Sequence, residues 1–470
     1  MKGLYLSTAE LDSRAVCELG LSEEVLIENA ATKIANFIRS KFKKGSRFLG
    51  VCGGGNNGAD VFAALRMLEG DYQTSYFLAS LNLKDMAKKQ LESAKKVGVK
   101  ECENESEFDK FDCIIDGIFG SGLNRNLNEK SVNLINLLNS IKAFKIACDI
   151  PSGLDANGVV MGACFKADVT ITMGARKLGL YSDVAKEYVG KIKVALLGVS
   201  GSKFQTQTDT FLLTKGDLNL PFRDKKNTNK GEFGHAFFIS GEHSGAASLA
   251  ALSASAIGAG LVSVIGGDKT DISVMQAQGI SEKMNAGAIG MGLGRDRCGK
   301  WLDGINLKTL SQKSLVIDAD MCYEPGIIEL LSKNSNIVIT PHPKEFSSLL
   351  RLSGIANVDV SKIQQNRFKF AREFSFKFGC VLVLKGANTI IAQCGKLYIM
   401  CYGTVALAKG GSGDVLSGLI AGLMAQGYTP LKAAITGTLA HALSAHKFKK
   451  NNYALNPKDI IKGVKCRLKK

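Results

Sequence analysis

FLGVCGGGNNGAD, residues 48–60, is the stretch that decides the fold of the first half of this 470-residue chain. Its apolar start predicts a short strand over residues 48–52, and the apolar run that follows predicts a helix over residues 61–68. A strand, a glycine turn and a helix in this order are typical of the phosphate site of a parallel α/β sheet. The turn lacks the spacing of a Rossmann GxGxxG and the Lys-Ser/Thr of a P-loop, so neither motif applies. Its asparagines and aspartate add oxygens of the kind that hard cations bind.

Two further apolar strands end in similar loops. Residues 113–116 run into GIFGSGLNR (residues 117–125), and residues 144–148 run into DIPSGLD (residues 149–155). The carboxyl ends of parallel strands meet at one edge of a sheet. The three loops therefore predict a single site along that edge.

Length and composition indicate a protein of two or three domains, each with its own core. The chain has 470 residues, of which 45% are hydrophobic,. No apolar window is long enough to span a membrane and the amino terminus has no signal-peptide core, so we expect a cytoplasmic protein with no membrane partner. The twelve cysteines are scattered without a CxxC pair, and the five histidines are dispersed. This pattern indicates reduced thiols and disfavours a disulfide framework or a zinc site.

The formal net charge of +17 has two interpretations. Lysine clusters such as those in residues 41–44 and 225–230 could mark a nucleic-acid surface. They could equally form a solvated surface that attracts anionic small molecules. No interleaving of aromatic and basic residues and no nucleic-acid motif accompanies the charge, so we expect no nucleic-acid partner.

The second half of the chain repeats the strand–loop–helix pattern after a polar join at residues 197–231 that is rich in Gly, Ser and Lys. Apolar strands are expected at residues 237–239, 261–265, 288–291, 314–317, 336–339 and 381–384. The repetition predicts a second α/β domain, again with its functional loops on one edge of a sheet. We place the boundary between the two domains between residues 203 and 204.

The loop AKGGSGDVL, residues 408–416, is the strongest candidate site of that domain. Backbone N–H groups at a helix start, with no side chains in the way, bind phosphate. Asp414 is poorly placed to hold a phosphate itself, but it is well placed to take a proton from a hydroxyl that attacks one. Glycine-rich turns with an aspartate N-cap are also common as structural features, so the loop alone leaves both interpretations open.

The first half resembles the NAD(P)H-hydrate (NAD(P)HX) epimerases. The motifs ENAA, GGGNNGAD, DGIFGSGLNR and DIPSGLDANG carry the resemblance, which covers residues 1 to about 200,. It implies a Rossmann-like three-layer α/β/α domain over residues 1–203, a potassium ion held by Asn57, Asp116 and Ser152, and Asp149 as the acid/base residue. The residues that it assigns to the dinucleotide are Asn56, Asn57, Gly58, Ala59, Asp60, Gly120, Ser121, Gly122, Leu123, Asn124, Arg125, Asn126 and Asp149. Ala59 departs from the glycine that is usual at its position.

The chemistry of such an epimerase agrees with the role of Asp149, because epimerising a carbinolamine carbon needs a proton shuttle and a rigid grip on the dinucleotide. One alternative is that Asp149 only caps the loop before Pro151. Another alternative makes the whole first half a non-catalytic module that binds RNA or a protein partner.

The second half resembles the ribokinase-like superfamily and, within it, the ADP-dependent NAD(P)HX dehydratases. The motifs KGEFGH, SGAASLA, GMGLGRD, DAD (residues 318–320), TPHPKEF, LKGANT and GGSGDVLSG match in order. The resemblance implies a ribokinase-like α/β domain over residues 204–470, with Asp414 as the catalytic base and Mg²⁺ and ADP as cofactors. The residues that it assigns to the nucleotide donor are Lys385, Gly386, Ala387, Asn388, Thr389 and Gly413, and those that it assigns to the hydrated dinucleotide are Ala246, Gly292, Gly294 and His342. Lys409 departs from the usual threonine, and His342 has the alternative role of a capped histidine between two prolines.

Together the two resemblances imply repair of hydrated NADH and NADPH (NADHX and NADPHX). The first domain would interconvert the R and S epimers, and the second would dehydrate the S epimer with ADP, giving AMP and phosphate. We expect a homo-oligomer whose partners are these small molecules. The alternative for the second half is a kinase of a vitamin precursor, which would leave a stable phosphorylated product.

Overall fold

The structure is a computed structural model that describes residues 1–267, 271–296 and 307–468. The chain divides into two compact units, an amino-terminal unit of Gly3–Thr208 and a carboxy-terminal unit of Asp209–Lys470 together with Met1–Lys2. The division lies after Thr208, whereas the sequence places the domain boundary between residues 203 and 204. In the described part of the chain, no helix is both long and apolar enough to cross a membrane.

The amino-terminal unit, all of whose residues are described, contains a sheet of seven parallel strands. After a two-residue strand that belongs to the second sheet, β1 (Lys2–Gly3), its strands are β2 (Arg47–Cys52), β3 (Gln73–Leu78), β4 (Lys100–Glu101), β5 (Cys113–Gly117), β6 (Phe144–Cys148), β7 (Val169–Met173) and β8 (Lys191–Ala195). Their order is β4-β3-β2-β5-β6-β7-β8. The order reverses between β2 and β5, so the loops after these strands flank the crevice in which doubly wound sheets bind ligands.

Helices cover both faces of this sheet. They are α1 (Ala9–Cys17), α2 (Glu23–Lys41), α3 (Asn56–Leu68), α4 (Asp85–Lys96), α5 (Glu129–Ser140) and the short α6 (Gly201–Phe204). Successive strand residues point to opposite faces. Phe48 and Ile115 therefore lie in the core with α2, α3 and α4, and Leu49 and Ile114 lie in the core with α5. This arrangement confirms the Rossmann-like three-layer α/β/α fold.

Helix α3 begins at Asn56, whereas the sequence predicts its start at residue 61. That prediction is wrong because asparagine and glycine are poor helix formers, and packing overrides their propensity. A Cβ at Gly58 would lie 2.1 Å from the carbonyl oxygen of Gly53, so the helix start and the turn are in close contact. Residues 56–60 therefore form the first turn of a helix, where backbone N–H groups have no partner within the helix.

The carboxy-terminal unit contains a larger, mainly parallel sheet. Besides β1, its strands in the described residues are β9 (Thr210–Leu212), β10 (His235–Ile239), β11 (Leu261–Ile265), β12 (Met275–Ala277), β13 (Ala286–Ile289), β14 (Ser314–Ile317), β15 (Ile337–Ile339), β16 (Val381–Leu384), β17 (Thr389–Gln393) and β18 (Lys396–Met400). Their order is β1-β9-β18-β17-β16-β15-β14-β13-β10-β11-β12. Strands β10 to β16 pair in parallel, and β17 pairs antiparallel with both β16 and β18. The predicted second α/β domain is confirmed.

The helices of this unit pack against the sheet. They are α7 (Ser244–Ala256), α8 (Leu307–Ser311), α9 (Ile327–Lys333), α10 (Pro343–Leu352), α11 (Val360–Gln365), α12 (Arg367–Phe378), α13 (Ser412–Ala425), α14 (Pro430–His446) and α15 (Pro457–Arg467). Helices α7, α13 and α14 share one core with strand residues such as Val316 and Val338. Helix α12 contacts β16 and β17. The strand predicted at residues 288–291 is displaced, because β13 starts at Ala286 and ends at Ile289.

Candidate active sites

The amino-terminal site forms where β2, β5 and β6 end side by side. Asp116, near the end of β5, is fully buried. It accepts hydrogen bonds from the N–H and the hydroxyl of Ser152, at 2.8 and 2.5 Å, and from the N–H of Ile118 at 3.2 Å. Burial raises the pKa of Asp116 to about 6, although these hydrogen bonds oppose the shift. Two of the three predicted metal ligands are therefore in direct contact.

Asn57 is connected to Ser152 through Phe119, a residue of the loop after β5. Its Nδ2 donates to the carbonyl of Phe119 at 3.0 Å, and the N–H of Phe119 donates to the hydroxyl oxygen of Ser152 at 2.8 Å. The Oδ1 of Asn57 is buried and has no hydrogen-bond partner among the described residues. Buried polar atoms are normally paired, so this oxygen has bonding capacity that the described residues do not use. The Asn57 side chain is therefore linked through Phe119 and Ser152 to the buried carboxylate of Asp116. Amide and carboxylate oxygens are ligands that hard cations prefer, so this group of residues suits such a cation.

Asp149, directly after β6, forms a buried ion pair. Its Oδ1 lies 2.5 Å from the Nζ of Lys177, and the side chains are 12% and 0% exposed. Oδ1 also accepts a hydrogen bond from the N–H of Met173 at 3.1 Å. Oδ2 faces the loop after β5, because a Cβ at Gly120 would lie 3.7 Å from it and 3.6 Å from the Cβ of Asn57. Asp149 thus has one oxygen on Lys177 and the other toward the predicted dinucleotide loop.

The backbone of Asp149 has a φ of 66°, in the left-handed region that few residues other than glycine adopt,. Its N–H donates to the carbonyl of Ile171 at 2.8 Å, which holds it in the sheet. Residues other than glycine in this region concentrate at functional sites. In the described residues, the side chain of Asp149 bonds to Thr172, Met173 and Lys177 and not to the loop before Pro151, which argues against the capping alternative.

A cavity of about 410 Å³ lies between α1, α2 and the start of α3. Its polar lining includes Asp12, Asn56 and Asp60. Burial raises the pKa of Asp60 well above its ordinary range, and the charges of Asp149 and Asp12 add to this shift. Burial also raises the pKa of Asp12 to about 6, which Lys177 opposes and Asp149 reinforces. The charges of Asp149 and Lys177 therefore act on the carboxyl groups that line this cavity.

The two segments predicted to bind the dinucleotide lie on both sides of the crevice between β2 and β5. Asn56 is exposed, and the rest of its segment, Asn57, Gly58, Ala59 and Asp60, is buried. In the second segment, Gly120, Ser121 and Leu123 are half-buried, and Gly122, Asn124, Arg125 and Asn126 are exposed. The methyl group of Ala59 lies in the core with α2, so this departure from the usual glycine does not narrow the crevice.

The carboxy-terminal site is built on an ion pair between Asp318, after β14, and Lys385, after β16. The Nζ of Lys385 lies 2.8 Å from Asp318 Oδ1 and 3.8 Å from Glu345 Oε2. Asp318 also accepts a hydrogen bond from the hydroxyl of Ser417 on α13 at 2.7 Å. Burial lowers the pKa of Lys385, but the two carboxylates outweigh it and raise the pKa above its ordinary value. Burial raises the pKa of Glu345 to about 7.

The glycine loop lies against this ion pair. Gly411 is the N-cap of α13 with a φ of 82°, a conformation that suits glycine,. A Cβ at Gly413 would lie 3.5 Å from Lys385 Nζ and 3.9 Å from Asp318 Oδ2. Asp414 is half-buried, and its pKa is raised to about 6 by burial and by the charge of Asp318, while Lys385 opposes the shift. A helix start, an ammonium group and a carboxylate thus converge where the sequence predicts a phosphate site.

Lys409 contacts a different part of the chain. Its Nζ donates to the carbonyl of Tyr453 at 2.8 Å. Next to it, a Cβ at Gly411 would lie 2.7 Å from the Cγ of Pro457. The glycine loop therefore packs against the segment that leads into α15. This contact gives the lysine a structural role at the position where the resemblance expects threonine.

His342 is the N-cap of α10, as in the capping alternative. Its Nδ1 accepts hydrogen bonds from the N–H groups of Lys344 and Glu345 at 3.1 and 3.3 Å. Its own N–H donates to Glu345 Oε2 at 2.7 Å, which completes a capping box,. The ring is 46% exposed, and its contact with a dinucleotide stays a prediction.

Ala246, Gly292 and Gly294 come together at the start of α7. The N–H of His243 donates to the carbonyl of Gly292 at 2.9 Å, and a Cβ at Gly292 would lie 3.0 Å from the Cβ of Ala246. The N–H of Gly294 donates to Asp320 Oδ2 at 3.0 Å. The structure thus joins three predicted substrate residues to the DAD motif.

Arg367 is a residue that the sequence analysis missed, and it shapes the predicted nucleotide segment 385–389. Its Nη2 donates to the carbonyls of Leu384, Lys385 and Asn388 at 3.2 to 3.3 Å. Within the segment, Asn388 and Thr389 are buried, Lys385 is half-buried, and Gly386 and Ala387 are exposed. The buried guanidinium of Arg367 therefore holds the backbone carbonyls at both ends of the turn in this segment.

Lys177 and Asp12 were missed for different reasons. Lys177 follows the apolar strand β7, which lies next to β6, so the rule that applies to the other strand ends could have found it,. Asp12 offers no such sign, because one aspartate on an amphipathic helix is ordinarily a solvated residue.

Comparison with known proteins extends over the whole chain. The model of the NAD(P)H-hydrate dehydratase family matches residues 236–465, and the model described as YjeF-related protein N-terminus matches residues 23–179. The bifunctional NAD(P)H-hydrate repair enzyme Nnr of Helicobacter pylori is 43% identical over 99% of this chain and 100% of its own length. The protein of the same name from Coxiella burnetii is 32% identical over 93% of each chain.

A solved structure also resembles the carboxy-terminal half. It is an ADP/ATP-dependent NAD(P)H-hydrate dehydratase from Bacillus subtilis co-crystallised with ATP/Mg²⁺. The match has 25% identity and a TM-score of 0.43, and it covers 52% of this chain and 92% of that one. Membership of a family rests on the two relatives that match along the whole length.

Proposed function

Because this chain belongs to the family of bifunctional NAD(P)H-hydrate repair enzymes, we propose that it repairs hydrated NADH and NADPH by two reactions. The amino-terminal unit interconverts the R and S epimers of the hydrate. The carboxy-terminal unit dehydrates the S epimer with ADP, giving NAD(P)H, AMP and phosphate. The observation that carries the proposal is that an aspartate and a lysine interact at the carboxyl edge of each sheet, because Asp149 pairs with Lys177 and the charge of Lys385 acts on Asp414.

In the amino-terminal unit, Asp149 is the acid/base residue. The hydrated ring carbon carries a hydroxyl group and the ring nitrogen, so inverting it requires a proton to leave and return. Lys177 holds Oδ1 of Asp149, which leaves Oδ2 toward the crevice at Gly120. Residues 56–60 and 120–126 hold the dinucleotide, and the N–H groups at the start of α3 bind its phosphates.

Potassium is held by Asn57, Asp116 and Ser152. The support is the buried Oδ1 of Asn57, which has no hydrogen-bond partner in the described chain, together with the buried carboxylate of Asp116. A bound cation would supply the positive charge that a buried carboxylate needs, and it would fix the loop after β5.

In the carboxy-terminal unit, Asp414 is the base. It takes the proton of the ring hydroxyl as that oxygen attacks the terminal phosphorus of ADP, and AMP leaves with the electron pair of the broken P–O bond. The phosphate ester leaves more readily than hydroxide. It departs with the C–O electron pair while the ring nitrogen donates its lone pair, and loss of a ring proton restores NAD(P)H. Lys385 and the N–H groups of the glycine loop balance the phosphate charge.

Mg²⁺ comes with the nucleotide. This ion usually binds through phosphate oxygens and one or two carboxylates. Asp414 and Asp318 are the carboxylates at the glycine loop, and Asp318 Oδ2 lies 3.9 Å from the place of a Cβ on Gly413. In this arrangement, residues 385–389 hold the nucleotide, and Ala246, Gly292, Gly294 and His342 hold the hydrated dinucleotide.

The proposal also includes location and assembly. The eleven described cysteines form no disulfide, as in a reducing compartment, and this supports a cytoplasmic location,. The homo-oligomer stays a prediction that sedimentation or light scattering of the purified chain can test.

The experiment that tests the function supplies each purified epimer of hydrated NADH with ADP, with ATP, or with no nucleotide. We expect interconversion of the epimers without nucleotide, and recovery of NADH absorbance with ADP from both epimers. AMP and phosphate should form in amounts equal to the NADH. A stable phosphorylated product without recovery of NADH would overturn the dehydratase and favour the kinase alternative, and unchanged epimer ratios would overturn the epimerase.

A further inference from the structure

A second carboxyl group in the amino-terminal unit has the surroundings of a proton-transfer group. Asp12 lies on α1 and lines the 410 Å³ cavity together with Asp60. Its Oδ1 is buried and has no hydrogen-bond partner among the described residues, and its Oδ2 accepts only a long hydrogen bond, 3.5 Å, from the hydroxyl of Thr8. Buried carboxyl oxygens are usually bonded, so an unpaired oxygen in the wall of a cavity has its bonding capacity available to a ligand.

The groups that face Asp12 come from four other elements. Asp60 lies on α3, Asp149 follows β6, Lys177 follows β7, and Glu23 on α2 lines the same cavity. The buried ammonium group of Lys177 pairs with Asp149, and its charge also acts on Asp12 and Asp60. Burial raises the pKa of Asp12 and of Asp60, and the charge of Asp149 adds to both shifts, which favours the protonated state of these two groups over the ionised state,.

Epimerisation needs both states at once. When the ring hydroxyl gives its proton to a base, its electrons form a C=O bond, and the C–N bond breaks toward the ring nitrogen. The nitrogen must then receive a proton from an acid. Closing the ring on the other face of the carbonyl reverses each transfer, so no net proton, oxidant or reductant is consumed. Asp149, paired with Lys177, is the base in this scheme, and the acid remains to be identified.

Asp12 suits this role better than Asp60. Asp60 is 7% exposed, its Oδ2 already accepts a hydrogen bond from the thiol of Cys148 at 3.9 Å, and burial raises its pKa well above the ordinary range. Asp12 is less buried, and its pKa of about 6 allows it to give and regain a proton near neutrality,.

We propose that Asp12 is the catalytic acid of the epimerisation, donating its proton to the ring nitrogen in the cavity between α1 and α3. The inference rests on the proposed epimerase activity and assigns to that activity a group outside the dinucleotide-binding loops. It also predicts that the hydrated nicotinamide ring lies between this cavity, whose lining includes Asn56 and Asp60 of the dinucleotide segment, and the Oδ2 of Asp149.

The test measures conversion of the R epimer to the S epimer without ADP, between about pH 5 and 8. For Asp12→Asn we expect kcat to fall about a hundredfold with KM within about twofold of the wild-type value. Wild-type kcat should fall as pH rises through about 6, because the acid form is the active one, and this fall should disappear in Asp12→Asn. Asp12→Glu keeps a carboxyl group and should restore part of the rate. Glu10→Gln, on the exposed face of the same helix, should match the wild type.

The outcomes separate the two proposals. If the wild type does not interconvert the epimers, the proposed function fails before any variant is compared. If the wild type is active and Asp149→Asn is inactive, but Asp12→Asn keeps the wild-type kcat and pH profile, the role of Asp12 is refuted and the epimerase stands. A rise in KM with unchanged kcat in both Asp12→Asn and Asp12→Glu would also refute it, because that result describes a binding residue.

Discussion

Asp414 lies in the first turn of α13, where burial and the charges of Asp318 and Lys385 determine how its own charge changes with pH. Its pKa is raised to about 6. A base must be deprotonated, so we expect the dehydration rate to rise with pH through about 6 and to level off above it. Asp414→Asn should lower dehydration by at least about a hundredfold, as measured by NADH absorbance with ADP.

The control for Asp414→Asn is epimerisation in the same protein. That activity belongs to the other unit, so its rate should equal the wild-type rate. Dehydration by Asp414→Asn at a near wild-type rate would exclude Asp414 as the base.

Lys177 is a fully buried lysine whose ammonium group meets Asp149. Replacing it by methionine would leave the Asp149 carboxylate buried without a partner, and removal of one member of a buried pair costs about 3–5 kcal/mol. We expect Lys177→Met to lower the unfolding free energy of the amino-terminal unit by about this amount and to abolish epimerisation. Calorimetry of the full chain measures the first effect and epimer-resolving chromatography the second.

Lys191→Met is the matched variant for this comparison, because Lys191 is exposed on the neighbouring strand β8. It should change the unfolding free energy by less than about 0.5 kcal/mol. If Lys177→Met changes the unfolding free energy as little as Lys191→Met does, the Asp149–Lys177 pair contributes nothing to stability.

At the scale of elements, the start of α13 depends on two lysines with different partners. Lys385 faces Gly413, whereas Lys409 donates to the carbonyl of Tyr453. Lys385→Met should therefore raise the KM for ADP at least about tenfold. Lys409→Thr should leave this KM within about twofold, because an exposed lysine bonded elsewhere adds little to anion binding. Steady-state dehydration at varied ADP measures both, and a similar rise in KM for Lys409→Thr would place Lys409 on the phosphate.

Because Asp116 at the end of β5 and Ser152 after β6 are in contact, we expect a bound cation there to stabilise the unit. An ion that binds only the folded state raises its stability. In KCl, the amino-terminal unit should unfold at a higher temperature than in choline chloride of equal ionic strength. In Asp116→Asn this difference should vanish. A difference that persists in Asp116→Asn would mean that the ion binds elsewhere.

Buried parallel strands are the elements that the sequence predicts best. β11, β14 and β16 have the bounds that the sequence predicts, because each is a mainly apolar run with at most one serine,. The start of α3 cannot be read in this way, because packing holds Asn56 and its neighbours in a helix against their propensity.

The same distinction applies to the sites. Asp116 and Asp149 end apolar strands, so the sequence locates them. The position of Lys177 after β7 can be read from the sequence, but its pairing with Asp149, like the partners of Asp12 and Arg367, is seen only in the folded chain. Local patterns contain no information on such pairings.

At the scale of the whole molecule, each unit has its own sheet, core and site. Asp149→Asn and Asp414→Asn should therefore each silence one reaction and spare the other. A mixture of the two variants should repair the R epimer completely with ADP, because the S epimer made by one protein can reach the active dehydratase of the other. Failure of the mixture, with both variants active in their remaining reaction, would mean that the substrate passes between sites only within one molecule.

The left-handed backbone of Asp149 determines which substitution should be used to make an inactive allele. Asparagine tolerates a φ of 66° much as aspartate does, whereas most other residues pay about 1–2 kcal/mol for it,. An alanine allele would therefore combine lost chemistry with a distorted chain, and its cellular level could fall for reasons unrelated to catalysis. The asparagine allele removes the proton carrier and preserves the local geometry, which makes it the suitable genetic tool for asking what a cell loses without epimerisation.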